Sequence, residues 1–575
     1  MPYVKNKIKV NVPHRSGFDK SHRNSGTLQC GSLTPILCDE LIPASRVSLR
    51  LNLAAQLPPL VSDTYMNTRL RAEAFFVPSR ILCPSFEDFF CDFPRRVYTN
   101  SSANGLSEIG TFSDVTAAVP VFYLDNAQYS GTNALLAPGT LADYLGFKAT
   151  LTSGSMTINA LPFIAYHLIW QEYYRNPRVQ NPAFAPNLGQ LQFSSGTLSA
   201  KRIPCLPYTY FHRRFTGDDN TVSNDNTVIN IDTTNPDSLK CADGISIFSL
   251  RQRNFGLDYF TGSRPSAQQG NASAVSFTVP VTGSADAQGN VSGTGSGAVS
   301  IASLRAANSL QQFRERNNLP SPRLVDQVKA RYNANLSDGV AQRPICIGSA
   351  SYDLSSRGVD QTAADSSGSN PFSSVAAQYG RAYGMGSDFI IDDFVANEPG
   401  YLMVLLSVVP DVTYSSGISP IFRRYLSDGS IVDMANPLLQ NVGDQPIFSD
   451  ELLGTVSTGA AGVVFGYQDR YADWMYKPNE CHGLFRDGQS LDSFVLQRSF
   501  STVPSLSSSF LEIPTNYMDE IMAVQSMTSG LSAWYDCLLE YKVSMPLAEF
   551  SIPSLQDPAY EHGDSVILHR NGQIF

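Results

Sequence analysis

Residues Arg251–Gly270 read RQRNFGLDYFTGSRPSAQQG, and the rest of the chain divides around them. Asp258 stands beside Tyr259 and Phe260, and Thr261-Gly262 turns the chain ahead of Arg264-Pro265. Pro265 removes a backbone donor and biases Arg264 away from helix. The stretch therefore predicts an ordered, aromatic-anchored loop rather than a strand interior. Before it lie short strands and one helix; after it come a Gly/Ser-rich run, a helical pair and more strands.

Composition agrees with a strand-and-loop chain. Of 575 residues, 42% are hydrophobic and 16% charged, against about 25% charged in an ordinary globular protein. With 35 Pro, 41 Gly and 11% aromatics, this suits a large core with broad contact surfaces and excludes a disordered or coiled-coil protein. The net charge of −10 rules out a chain that grips nucleic acid over its whole surface. Its distribution is uneven. Lys5, Lys7, Lys9, Arg15, Lys20 and Arg23 face only Asp19 within residues 1–24, a net of +5, which leaves −15 on the remainder. Such an arm is the mark of an interaction tail. Val4, Ile8, Val10 and Val12 alternate with its first cations, so an extended arm would have one apolar and one basic face.

The nine cysteines contain no C-x-x-C pair, and the eight-residue spacings Cys30/Cys38 and Cys83/Cys91 match no zinc pattern. Reduced, mostly buried thiols in a cytosolic setting are expected. No targeting segment is visible, and the longest apolar run, Tyr401–Val409, is too short to span a bilayer. A soluble protein follows as the expectation.

Leu28–Leu53 and Tyr65–Val77 read as strands, Tyr401–Val409 as a buried one, and residues 99–155 as long surface loops. The clearest helix is Asn159–Arg175, NALPFIAYHLIWQEYYR, with Asn159 as cap and Asn176-Pro177 as stop. It is apolar nearly all round, so Trp170 or Tyr174 is expected to bury against a neighbouring subunit. His167, among apolar neighbours, reads as a hydrogen-bonded core residue. The Asp218, Asp219, Asn220, Asn224, Asp225, Asn226 cluster has no calcium-loop spacing and reads as turns. Gly283–Ser300 reads as a flexible exposed loop. Two helices then follow, lined by Leu304, Ala307, Leu310 and Phe313 and by Leu324, Val325, Val328 and Tyr332, with Ser321 and Pro322 opening the second.

Catalytic motifs were sought without success: H-E-x-x-H, G-x-S-x-G, a phosphate loop and a dinucleotide fingerprint are all missing. Cys481 and His482, as strand neighbours, would point to opposite faces. Asp392-Asp393 suits a solvated turn. No enzyme, metal or cofactor is expected.

Asp258, Tyr259, Phe260, Thr261, Pro265, Gln268 or Gln269, and Gly270 resemble the DYFTS-x-x-P-x-x-Q-x-G segment of microvirus major capsid proteins, those of the gokushovirus branch in particular. Gly262 replaces the usual Ser, and Arg264 a Leu. Further blocks follow in the family's order. Ala74–Arg80 resembles FFFVPNR, and the helix resembles LPFRAYNLIWNEWFRD with Ile164 for Arg and His167 for Asn. Asp338, Gln342, Arg343, Pro344 and Gly348 fit the segment after the helical pair, without its usual Gly-Gly-Thr-Arg-Tyr connector. Gly400–Asp411, Val464–Asp487 and Lys542–Pro553 match later blocks.

The resemblance implies an all-β fold, an eight-stranded antiparallel jelly roll with long inserted loops and a few helices. Residues 1–27 would form a basic arm facing the capsid interior. Residues 28–575 would form the jelly-roll domain, with a variable surface loop at 271–300 and a helical pair at 301–334. The implied function is a structural major capsid protein building a T=1 icosahedral shell around circular single-stranded DNA, with Lys5, Lys7, Lys9, Arg15, Lys20 and Arg23 toward that DNA. Implied partners are copies of itself, an internal scaffolding protein, a small basic DNA-binding protein, a minor pilot protein and a host surface receptor. The product is a virion, assembled in the bacterial cytoplasm. A carbohydrate-binding or glycosidase-type β-sandwich is the competing class; a glycosidase would need two carboxylates about 5–10 Å apart in a cleft.

Overall fold

A computed structural model describes most of residues 15–82, 138–148, 155–184, 241–268, 301–361, 378–422, 443–454, 462–523 and 531–547, with short stretches elsewhere. Its principal strands are β1 (Ser16–Asp19), β2 (His22–Leu28), β3 (Thr34–Leu41), β4 (Ser45–Gln56), β5 (Thr68–Pro78), β6 (Ile345–Gln361), β7 (Gln378–Ala396), β8 (Gly400–Pro410) and β9 (Ala533–Met545). They form one antiparallel sheet in the order β1-β9-β4-β7-β6-β5-β8-β3, with β2 also paired to β9. The chain is thus mostly antiparallel β-structure with a few helices.

The sheet curls because β6 and β7 each serve two neighbours. Ile345–Leu354 of β6 pairs with β5, and Ser355–Gln361 pairs with β7, whose remaining length pairs with β4. Bulges in these ladders bend the strands. Gly348 sits at one of them, where a Cβ would collide with the Ile390 carbonyl oxygen.

Side-chain alternation explains the core. On β9, Ala533, Tyr535, Cys537, Leu539, Tyr541 and Val543 point inward and their neighbours outward. Leu51 lies opposite Leu539, and Ala74 opposite Val404. β8 differs in being buried on both faces. Leu402, Val404, Leu406 and Val408 enter the main core, while Tyr401, Met403 and Leu405 enter a second core beneath helix α1 (Leu161–Ile169). This two-sided burial is why Tyr401–Val409 is apolar without alternation.

Helix α1 is shorter than the expected Asn159–Arg175 and continues as a π-helical turn, Trp170–Tyr174. Asn159 acts just outside the helix: its Oδ1 accepts from the Leu161 N–H at 2.9 Å. The helical pair appears as α2 (Ile301–Asn318) and α3 (Leu324–Tyr332), the second opening at Arg323 rather than at Ser321. Residues 1–27 are not one free arm, since β1 and β2 run along β9 within the main sheet. The expected 283–300 loop and the 218–226 cluster lie outside the described residues.

Candidate functional site

The 251–264 segment is an ordered loop, and its backbone is stitched to three parts of the chain. Arg251 O accepts from Leu33 N, and Arg253 N donates to Gly31 O. Arg253 and Phe255 exchange bonds with Ile513 and Leu511, and Arg264 with Tyr467. Asp258 organises the turn. Its Oδ1 accepts from the Phe260 and Thr261 N–H groups at 2.8 and 2.7 Å, and its Oδ2 accepts from Tyr414 OH at 2.7 Å. Burial, reinforced by that carboxylate, pushes the Tyr414 phenol up. Phe260 packs edge-on to Tyr414 and Phe465.

Three arginines leave this segment, each toward a carboxylate on a different element. Arg251, fully buried, pairs with Asp243 and lies 4.5 Å from the centre of the Trp170 ring. Arg253 pairs with Glu73 of β5 at 2.6 Å, and Glu73 also accepts from Tyr174 OH at 2.5 Å. Arg264 pairs with Asp444 at 3.0 Å and with Asp469. A fourth, Arg498, lies between the Phe255 and Phe510 rings and donates to Phe510 O. Buried ion pairs are costly to break from one side, so these fix the segment's place in the fold. They present no nucleophile or general base to solvent.

His167 belongs to the same seam, as expected of a core histidine. Its Nδ1 accepts from Arg251 Nε at 2.7 Å, which leaves Nε2–H to donate to Ile247 O at 2.8 Å. Burial, reinforced by the guanidinium, holds its pKa well below 6.5, so the ring is neutral.

The interface expectation for Trp170 and Tyr174 is corrected. Both are buried within the subunit, at 2% and 9% exposure. Trp170 Nε1 donates to Gln252 O at 2.9 Å, and Tyr174 packs on Phe75. The helix is apolar all round because the sheet covers one side and the 247–255 segment the other.

The basic arm divides as well. Lys20 pairs with Asp39 at 2.7 Å, Arg23 with Asp536, and Arg15 donates to Ala44 O. These three make contacts within their own chain and remain partly or largely exposed, while Lys5, Lys7 and Lys9 lie outside the described residues. Cys481 is buried beside exposed His482, so the two do not form a pair. The six described cysteines are free thiols. Asp487, Asp492 and Glu520 bring carboxylate oxygens within 4.8 Å of one another, and burial with mutual repulsion raises Glu520. No described helix is long and apolar enough to cross a membrane.

A family model described as capsid protein (F protein) matches residues 6–555, from before β1 to beyond β9. The chain belongs to that family. It is 27% identical to the capsid protein VP1 of Chlamydia phage 1, over 94% of this chain and 96% of the relative. It is 23% identical to VP1 of Bdellovibrio phage phiMH2K, over 94% and 95%. For VP1 of Spiroplasma virus 4 the identity is 24%, over 96% and 97%. This is a structural capsid protein of the virion, not an enzyme, and the carbohydrate-active alternative is set aside. The residues missed from sequence, Glu73, Asp243, Asp444 and Arg498, are partners of the quoted loop scattered across the chain. The one available signal was the charge of Arg251, Arg253 and Arg264 inside an otherwise aromatic stretch.

Proposed function

We propose that this capsid protein assembles into a T=1 icosahedral shell around circular single-stranded DNA, with an eight-stranded jelly roll as its subunit body. The observation that carries the proposal is the family match, which runs through every strand of the sheet. The strand order supports the jelly roll. β2-β9-β4-β7 and β6-β5-β8-β3 form two four-stranded halves that enclose the main core, and this arrangement leaves loops to make contacts.

Genome contact falls to the first residues of the arm. With Arg15, Lys20 and Arg23 engaged internally, Lys5, Lys7 and Lys9 are the cations proposed to face DNA. Three phosphates neutralised correspond to a salt slope of about −0.7 × 3, or roughly −2. That is small, so a separate basic DNA-binding protein carries most of the neutralisation. An internal scaffolding protein, a minor pilot protein and a host receptor complete the proposed partners, with assembly in the bacterial cytoplasm and the 271–300 loop on the outer surface.

The test is electron microscopy of the purified full chain expressed with and without its companion viral proteins. Closed shells of one size, with density for sixty copies, are expected. Subunits that stay monomeric in every combination, or that form only open sheets or tubes, would overturn the proposal.

A further inference from the structure

Helices α2 and α3 are mounted on the body at one end and uncovered along their length. Their connecting turn is clamped. Arg178 donates to Asn318 O and Pro320 O, and Asn318 Nδ2 donates to Ser266 O. Arg323 caps the π-helical turn by donating to Gln171 O and Arg175 O at 3.0 and 2.9 Å. Beyond this clamp α3 has no buried side chain, and the described part of α2 buries only Asn317 and Asn318, at the turn itself. Arg331 of α3 stacks 5.3 Å from the Phe313 ring of α2.

The uncovered surface is apolar. Leu310, Phe313, Leu319, Leu324, Tyr332 and nearby Val340 are between 44% and 75% exposed. Leu310 and Phe313 share one side of α2 at i,i+3 spacing, and Leu324, Val328 and Tyr332 one side of α3 at i,i+4. Each helix thus leaves a stripe of large apolar side chains open to solvent, the kind of surface that marks a contact with another macromolecule. The pair is also basic. Residues 301–332 carry six cations against Glu315 and Asp326, a net of +4, so the rest of a −10 chain carries −14.

We infer that α2 and α3 form a docking surface for a second copy of this chain, their apolar side seated on the acidic body of the neighbour. Charge complementarity selects this occupant. The helix amphipathicity that the sequence shows is satisfied between subunits, whereas that of α1 is satisfied within one. Gly283–Ser300, which leads directly into α2, is Gly/Ser-rich and poorly suited to cover a stripe of Leu, Phe and Tyr. DNA would match the cations but leaves the apolar stripe unexplained. The inference rests on the shell-forming reading above and names one of its contacts.

Two double variants, Leu310→Ser with Phe313→Ser and Leu324→Ser with Tyr332→Ser, test the surface in the full chain. Their side chains are exposed in the isolated subunit, so the melting temperature and circular dichroism of the subunit should stay at wild-type values while particle yield falls at least tenfold. Lys329→Glu with Arg331→Glu should lower yield as well. A photo-reactive benzophenone side chain replacing Phe313 should join two chains, seen as a doubled mass. Wild-type yield in both apolar variants overturns the inference, as does crosslinking confined to the same chain. Reduced nuclease-protected DNA at full particle yield in the charge variant assigns the surface to nucleic acid and also overturns it. The crosslink reads the contact directly. A wild-type chain that closes no shell yet crosslinks in pairs counts against the icosahedral reading alone.

Discussion

Acidification should unlock the seam at His167 before general acid unfolding. The ring is fully buried, and its two nitrogens are committed to Arg251 and Ile247 O. Protonating Nδ1 would break the bond from Arg251 and set two cations face to face, with Asp243 as the carboxylate paired with that guanidinium. The folded pKa is therefore depressed, so the stabilising contribution is fully present above the unfolded value of about 6.5 and is lost as pH falls. Each pH unit over which the buried ring stays neutral while the unfolded ring is protonated removes on the order of 1 kcal/mol.

For 575 residues at about 2.1 cal/mol/K each, the unfolding entropy is about 1.2 kcal/mol/K. A chain that unfolds as one unit should thus lose about 1 °C of melting temperature to this group for each such pH unit below 6.5. Carboxylates contribute their own pH dependence, so the measurement is a difference. His167→Asn cannot titrate, keeps a donor and an acceptor, and places the residue found in the resembling capsid segments. Melting curves of the unassembled subunit from pH 7.5 to 4.5 should fall more steeply for wild type than for the variant, with the gap opening below pH 6.5. Parallel curves would refute the reasoning.

Trp170→Ala should destabilise the subunit itself by about 3–5 kcal/mol, seen as a lower melting temperature before any assembly step. Arg253→Met leaves Glu73 buried without its cation and should cost about 3–5 kcal/mol; adding Glu73→Gln should recover much of that loss in a denaturation double-mutant cycle. Gly417→Ala, at φ +114° and with a Cβ directed onto the Glu451 carbonyl, should yield little folded protein. Replacing Lys5, Lys7 and Lys9 by Gln should lower nuclease-protected DNA per particle and flatten its salt dependence by about 2 in log–log slope, with the melting temperature of the subunit unchanged.

Sequence patterning located the elements whose burial is local. β8 was legible because eight apolar residues in a run of nine, broken only by Ser407, leave few other uses, and the 251–264 loop because Pro265 and Gly262 punctuate it. His167 was legible from its neighbours alone. Pairings between distant segments were not. Nothing around Glu73 marks it as the partner of Arg253, 180 residues away, and nothing around Lys20 marks Asp39. A charge counted as free in a sequence is free only until the fold supplies its counterion.

The helices carry the sharper lesson. Apolar surface around α1 pointed to a neighbouring subunit, yet the sheet and the 247–255 segment enclose it. The stripes of α2 and α3 read only as the apolar sides of two helices, and Phe313, Leu324 and Tyr332 stand open. Hydrophobicity measures how strongly a surface must be covered, and it carries no information about whether the cover comes from the same chain. Only the topology decides that. α1 lies against β5 and β8, whereas among the described residues α2 and α3 are anchored chiefly at their turn, with Gln311 also donating to Gln268. In a shell-forming chain the elements fixed at one end and apolar along their length are the ones to test for assembly, and fully enclosed aromatics such as Trp170 are the ones to test for folding.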